Sequence, residues 1–178
     1  MPLDLAALRA IMPRLPLTDA CLYLVPLREA MAEGSINTPL RQAAFLSQLA
    51  HESGELRYSE EIATGTLYEG RTDLGNTQPG DGRRYKGRGP IQLTGRLNYR
   101  AAGRSLGLEL EEHPELAAEP TVGFRVAVWY WVTRGLNTLA DRGTAEAFGA
   151  ITRAINGGIN GLAQREVYYR AARKALGC

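Results

Sequence analysis

Between Pro120 and Gly135 the chain reads PTVGFRVAVWYWVTRG, and from Val126 to Val132 it is apolar on every side of a helical wheel. A helix that is hydrophobic all round has no face to give to water and belongs in an interior. Other elements must surround it, and the flanking sequence reads as helix. Leu3, Leu5, Leu8 and Ile11 recur at helical spacing. Thr18 reads as the cap of a second helix running towards Gly34, with a kink or break at Pro26. Thr38-Pro39 supplies a cap and a proline at the first helical position, and LRQAAFLSQLAHES continues to Gly54. Helical texture resumes at Thr94, read as a cap, and stops at Gly107. Thr144 caps AEAFGAITRAI, ended by Gly157-Gly158. A last helix, LAQREVYYRAARKAL, turns Val167, Tyr168, Ala171 and Leu176 to one side and its charges to the other.

One segment departs from this texture. From Glu55 to Pro90, glycines at 65, 70, 75, 80, 82, 87 and 89 punctuate a stretch with few apolar residues. A connection of that length in a compact domain is functional or disordered. Tyr58, Tyr68 and Tyr85 favour an ordered, functional loop with a short hairpin or two. The expected organisation is one domain over residues 1–178, mainly α, with two lobes and a small loop or β region.

Composition narrows the function. The chain has 178 residues, 44 % hydrophobic and 22 % charged, with a net charge of +2. That charge is too small to mark a nucleic-acid binder. No apolar run approaches a membrane span, and MPLDLAALRAIMPRLPL lacks the basic start and cleavage site of a secretory leader. Cys21 and Cys178 allow at most one bridge, and Cys21 within CLYLVPL reads as a small buried hydrophobe. Two histidines without metal-ligand spacing predict no metal, and nothing predicts a cofactor.

Three stretches carry chemistry. In AHESGELRYSEE, Ala50 to Glu61, Glu52 sits in the last turn of a helix, beside His51. The negative end of the helix dipole disfavours an ionised carboxylate there, which suits a general acid. After the turn at Gly54, Glu60 or Glu61 can return as its partner. In GDGRRYKGRGPIQLTGRLNY, Gly80 to Tyr99, four cations (Arg83, Arg84, Lys86, Arg88) lie among glycines. No phosphate-loop spacing is present, and Arg88 reads as a structural tether. In AINGGING, Asn156 either ends a helix or offers its amide to a sugar.

In order, FLSQLAHESGELRYSEE, RRYKGRGPIQLTGRLNY and ITRAINGGING resemble glycoside hydrolase family 19, the chitinase-like family that includes many phage endolysins. The resemblance implies a lysozyme-like, mainly helical fold of two lobes around a substrate cleft. It implies Glu52 as general acid, Glu61 as general base with Glu60 the neighbouring candidate, and Thr94 as a holder of the attacking water. Tyr85, Gln92, Asn98, Asn156 and His51 would contact substrate. Arg165 looks like the arginine that interacts with the base carboxylate. Neither metal nor cofactor is required.

The disulfides and longer loop of plant chitinases are missing from the sequence, as is a chitin-binding module. The resemblance therefore inclines towards an endolysin that hydrolyses β-1,4 bonds of peptidoglycan glycan strands with inversion. It would be a monomer, made in a host cytoplasm, delivered to the wall by another protein, and bound neither to nucleic acid nor into membrane. The alternatives are a chitinase acting on N-acetylglucosamine polymers and a catalytically silent glycan-binding protein.

Overall fold

The computed structural model describes residues 3–178, and they form a mainly helical fold. In chain order the helices are α1 (Leu5–Ile11), α2 (Leu17–Glu33), α3 (Pro39–Glu52), α4 (Asp81–Arg84), α5 (Arg96–Leu106), α6 (Pro120–Thr133), α7 (Leu136–Ala140), α8 (Ala145–Asn156) and α9 (Leu162–Leu176). Among the described residues, strand pairing is limited to two isolated antiparallel bridges, Glu60 with Arg88 and Arg88 with Leu93. The expected hairpin is thus reduced to these contacts, because glycines and tight turns interrupt every extended run between Glu55 and Pro90.

The all-round apolarity of α6 has a specific cause: the helix serves two cores. Phe124, Ala127, Val128 and Trp131 enter a large cluster with Leu8, Leu27, Phe45, Leu46, Phe148 and Ala172. Val126 faces a smaller cluster of Tyr85, Leu93, Tyr99, Ala102, Leu110 and Ala117, with Val122 and Trp129 packed against it. The burial is incomplete at one end, where Val132 is 46 % exposed. In the large core Trp131 meets Phe45 edge-on at 5.3 Å, the favoured aromatic geometry. Its indole N–H donates to Asn137 Oδ1 at 2.9 Å, and Asn137 Nδ2 donates to the Gly34 carbonyl. Short α7, absent from the sequence reading, is fixed by this part-buried polar link.

Several local expectations change. Helix α2 begins one residue before Thr18, with Pro16 as its cap, and the Thr18 hydroxyl bonds Asp19 instead. Pro26 lies inside an unbroken seventeen-residue helix. Cys21 is exposed, because the buried face of α2 is Ala20, Leu27, Ala30 and Met31. On α9 the buried side is Arg165, Tyr168, Tyr169, Ala172 and Leu176, and Val167 is 55 % exposed. The caps at Thr38 and Thr144 form as read: each hydroxyl accepts the backbone N–H three residues on, at 3.3 and 3.2 Å.

The small core is braced by charge. Asp81 at the start of α4 takes Arg96 on both oxygens, at 2.5 and 2.9 Å. Arg96 also reaches Glu111, which accepts Arg100 on both oxygens at 2.6 Å. Those bonds to Arg100, with Arg96 adding to them against the penalty of burial, bring Glu111 from the ordinary 4.5 down to about 2. A carboxyl depressed on folding stabilises the fold above its unfolded value and loses that contribution as pH falls through its folded value. Glu111→Gln is expected to lower stability at pH 7 by about 1–2 kcal/mol after allowance for solvent screening. In denaturant titrations the gap to wild type should close as the pH falls from 4.5 towards 2.

Candidate active site

Glu52 is the last residue of α3, where the peptide dipoles end negative. A buried cation meets it there. Arg165, 1 % exposed near the start of α9, puts Nη2 2.5 Å from Glu52 Oε1. Its Nη1 donates to Gln48 Oε1 at 2.5 Å and its Nε to the Asn160 carbonyl at 3.3 Å. Gln48 lies one helical turn before Glu52 and passes its own amide N–H to Thr152 Oγ1 of α8 at 3.0 Å. The resemblance implied Arg165 against the base carboxylate; the structure puts it on Glu52. The entry of α9 is held against the end of α3, which leaves the guanidinium within reach of Glu52.

His51 packs on the same side. Gly161, which precedes α9, leaves the space its ring fills: a Cβ there would collide with the imidazole. Burial, then the charge of Arg165, holds its imidazole below the ordinary value, so it is neutral at pH 7. Asn156 closes its own loop, donating to the Asn160 carbonyl at 2.9 Å and accepting from Gly158 N–H at 2.8 Å. The amide read as a sugar contact thus shapes the loop that carries Asn160 to Arg165.

Between the two carboxylates the chain turns with three successive left-handed residues: Gly54 (φ 58°), Glu55 (φ 68°) and Leu56 (φ 60°). Two of them are not glycine, a conformation costing of order 1 kcal/mol or more each. Local bonds hold it. Ser53 Oγ donates to the Leu49 carbonyl and accepts the Leu56 N–H, at 2.6 and 2.7 Å. The buried Glu55 carboxylate accepts Arg14 N–H at 2.6 Å, Arg14 Nε at 2.7 Å and Tyr168 O–H at 2.8 Å. Burial alone would push Glu55 up; these donors and the Arg14 charge outweigh it and bring its carboxyl below the usual range.

The returning segment lies beside residues 87–93. Glu61 N–H donates to the Gly87 carbonyl at 2.8 Å and Gly89 N–H to the Ser59 carbonyl at 2.7 Å. The neighbours Glu60 and Glu61 part here, as adjacent side chains of an extended chain do. Glu60 turns to Lys86 at 2.9 Å and Arg88 at 3.3 Å. Its hydrogen bond to Lys86 first, then the Arg88 charge, against the penalty of burial, keep its carboxyl below the usual range. Glu61 meets neutral donors instead: Tyr68 O–H on Oε1 at 3.0 Å and Gly87 N–H on Oε2 at 3.1 Å. Burial and the bond to Glu61 raise the Tyr68 phenol, so it stays a donor. Gly87 is required by closeness: a Cβ there would lie 2.7 Å from Gln92 Oε1 and 3.3 Å from Glu61 Oε2. The Gln92 amide and the Glu61 carboxylate therefore converge over it.

The remaining residues read from sequence divide. Gln92 is held at φ 55° with its amide on the Gly89 carbonyl. Thr94 does not cap α5; its hydroxyl donates to the Gln92 carbonyl at 2.9 Å, and Gly95 is the cap residue. The cap bond comes from far along the chain, Asn76 Oδ1 accepting Arg96 N–H at 2.9 Å. Asn98 is exposed and donates to the Thr94 carbonyl at 2.7 Å. Tyr85 is buried in the small core with its hydroxyl on the Glu111 carbonyl. It supports the loop from beneath instead of presenting a face. Of the four cations, Lys86 and Arg88 pair with Glu60 and Arg84 reaches the Glu111 and Glu112 carbonyls. Arg88 is the tether it was read as. A cavity of about 580 Å³ opens beside Asp81, Arg84 and Arg96, away from Glu52 and Glu61, and its charges already neutralise one another.

Tyr68, Gln48, Thr152, Asn76 and Glu55 are the residues that sequence reasoning missed. One of them left a signal: Gln48 is a polar side chain amid the apolar residues of α3.

The family model described as Chitinase class I matches residues 30–140, which take in Glu52, Glu61, Gln92, Thr94 and Asn98 and stop short of Asn156 and Arg165. A glycosyl hydrolase family 19 domain-containing protein of Haemophilus influenzae is 33 % identical over 169 residues, 78 % of this chain and 80 % of that protein. An endochitinase of Arabidopsis thaliana is 46 % identical over 117 residues, 65 % of this chain. The chain spans 39 % of that endochitinase's length. Chitinase C of Streptomyces griseus has a TM-score of 0.79 at 27 % identity, over 98 % of this chain and 76 % of its own.

The buried cation gives a direct test. Arg165→Met keeps an unbranched side chain but leaves Glu52, Gln48 and the Asn160 carbonyl without their shared donor. Unfolding free energy is expected to fall by about 3 kcal/mol, the usual cost of removing one member of a buried pair. Thermal and denaturant unfolding would measure it.

Proposed function

The chain belongs to glycoside hydrolase family 19, and from that premise we propose that it hydrolyses the β-1,4 glycosidic bonds of bacterial peptidoglycan as an endolysin does. The observation that carries the reading is that two carboxylates flanking one left-handed turn are held differently. Glu52 rests on the buried guanidinium of Arg165, and Glu61 rests on a hydroxyl and an amide N–H.

Each environment suits one role. With Oε1 committed to Arg165, Glu52 carries its proton on Oε2 and gives it to the leaving glycosidic oxygen as the C1–O bond breaks. Arg165 then stabilises the carboxylate left behind. Glu61, oriented by Tyr68 and Gly87, takes a proton from the water that forms the new bond to C1 on the opposite face. The Thr94 hydroxyl spends its hydrogen on the Gln92 carbonyl, so its lone pairs are left to accept from that water. Gln92, whose amide lies over Gly87 with Glu61, and the exposed Asn98 suit sugar hydroxyls. The product carries the inverted anomeric configuration, and solvent returns the proton from Glu61 to Glu52.

A second reading, a chitinase, draws support from the relatives, several of which carry that name at 27–46 % identity. The bond chemistry is unchanged; the polymer differs. On the peptidoglycan reading the enzyme acts at the cell wall, reached from the cytoplasm with the help of a separate membrane-permeabilising protein.

Mass spectrometry of purified peptidoglycan digested by wild type and by Glu52→Gln separates these readings. New reducing ends at N-acetylmuramic acid, lost in the variant, support the endolysin. Cleavage of chitin oligomers with intact peptidoglycan selects the chitinase, and cleavage of neither leaves a glycan binder. Glu52→Gln should lower turnover by about a hundred- to ten-thousandfold, the range of general acid–base catalysis, without unfolding the protein. Glu61→Gln should cost far more than Glu60→Gln, whose partners are Lys86 and Arg88; the opposite order would assign the base to Glu60.

A further inference from the structure

A buried arginine needs acceptors for a planar fork of five N–H groups, and here they are unequal in charge. Glu52 becomes an anion once it has given up its proton, while Gln48 and the Asn160 carbonyl stay neutral throughout. Gln48 is 0 % exposed and sits one turn before Glu52 on the same face of α3, so its contact with Arg165 is made beside the one that matters for chemistry. Arginine only donates, so Gln48 must turn Oε1 to it. The bond from Gln48 Nε2 to Thr152 Oγ1 at 3.0 Å, itself fully buried, uses the other end of the amide and holds that orientation.

We propose that Gln48, locked by Thr152, is a positioning residue for Glu52: it fixes the guanidinium plane through a neutral acceptor and so leaves the whole charge of Arg165 to the Glu52 carboxylate. A glutamate at position 48 would have the same reach and shape, but it would divide that charge between two anions. An apolar residue would leave Nη1 buried without a partner. The titratable groups that face the pair from other positions are His51 on α3 and Tyr130 on α6. His51 is held neutral by burial and by Arg165. Tyr130, kept protonated chiefly by burial, feels the charge of Glu52. Neither supplies a second cation, so Arg165 and its neutral support set the local field. The inference rests on the reading of Glu52 as the acid, but the arrangement itself is measurable without substrate.

The test is the protonation of Glu52, followed by NMR of the glutamate side-chain carbonyl carbons in wild type and Gln48→Glu, with the signal assigned by its loss in Glu52→Gln. A like charge sharing the site should move the Glu52 midpoint upward by about one pH unit. The alkaline limb of the pH–rate profile should follow in the same direction, since the acid must be protonated to act. Thr152→Val frees the amide to turn, and kcat should fall by about tenfold or more while KM for an oligosaccharide is unchanged. An unmoved Glu52 midpoint in a folded Gln48→Glu protein overturns the proposal, whatever the charge of the new side chain. Loss of thermal stability in both variants with midpoint and kcat intact overturns it too, by making the pair structural. If wild type cleaves no glycan but the midpoint moves, the positioning role of Gln48 stands and the proposed activity falls.

Discussion

The placement of the candidate site depends on one buried cation. Arg165 has its donors on Glu52, Gln48 and the Asn160 carbonyl, and a guanidinium withdrawn from water keeps its place only when such acceptors are all supplied. Those acceptors come from the last turns of α3 and from the loop before α9. The interaction therefore fixes three things together: where α3 ends, how the loop at residues 156–161 is folded, and where α9 starts. Asn156 shapes that loop, Gly161 lets His51 lie against it, and Thr152 braces Gln48 from α8.

Three residues after Arg165 on α9, Tyr168 reaches the other side of the same chain reversal. Its hydroxyl holds Glu55, in the middle of the left-handed run from Gly54 to Leu56, and Arg14 holds the same carboxylate from the segment between α1 and α2. One helix thus secures the carboxylate before the turn and the anchor within it. Glu55 spends the only charge of the turn on structure, and Glu60 spends its charge on Lys86 and Arg88. Of the five glutamates between residues 52 and 69, Glu69 is likewise committed, to the Gly80 and Gly82 amides. Glu52 and Glu61 differ in their partners: Glu52 rests on the buried Arg165, and the Glu61 side chain meets a hydroxyl and an amide N–H.

What was legible in the sequence followed from local rules. The Thr38-Pro39 and Thr144 starts, the end of α3 at Glu52 and the interior position of α6 all depend on neighbours within a few residues. So did the three motifs, since Glu52, Glu61, Gln92 and Thr94 fall within short stretches. Long-range pairings left no such trace. Thr94 looked like a cap because a threonine precedes a helix, yet the bond came from Asn76, far back in the glycine-rich segment. Arg165 was assigned to the wrong carboxylate because spacing along the chain does not say which of two glutamates a helix start will face. Tyr85, an aromatic in a loop, was read as a sugar contact; packing with Tyr99 against the small core took it inward. Cys21 and Val167 failed for a simpler reason, because residue type does not report which side of a helix meets the core.

The double allegiance of α6 bears on how the chain reaches this state. Phe124, Val128 and Trp131 complete one core and Val126 the other, so a partly formed molecule with a single core closed leaves an apolar strip of α6 wet. Such an intermediate is penalised in proportion to that strip, and the penalty disappears only when the second core docks. The shared helix is thus a device for cooperativity: it makes half-folded forms costly and gathers two lobes into one transition.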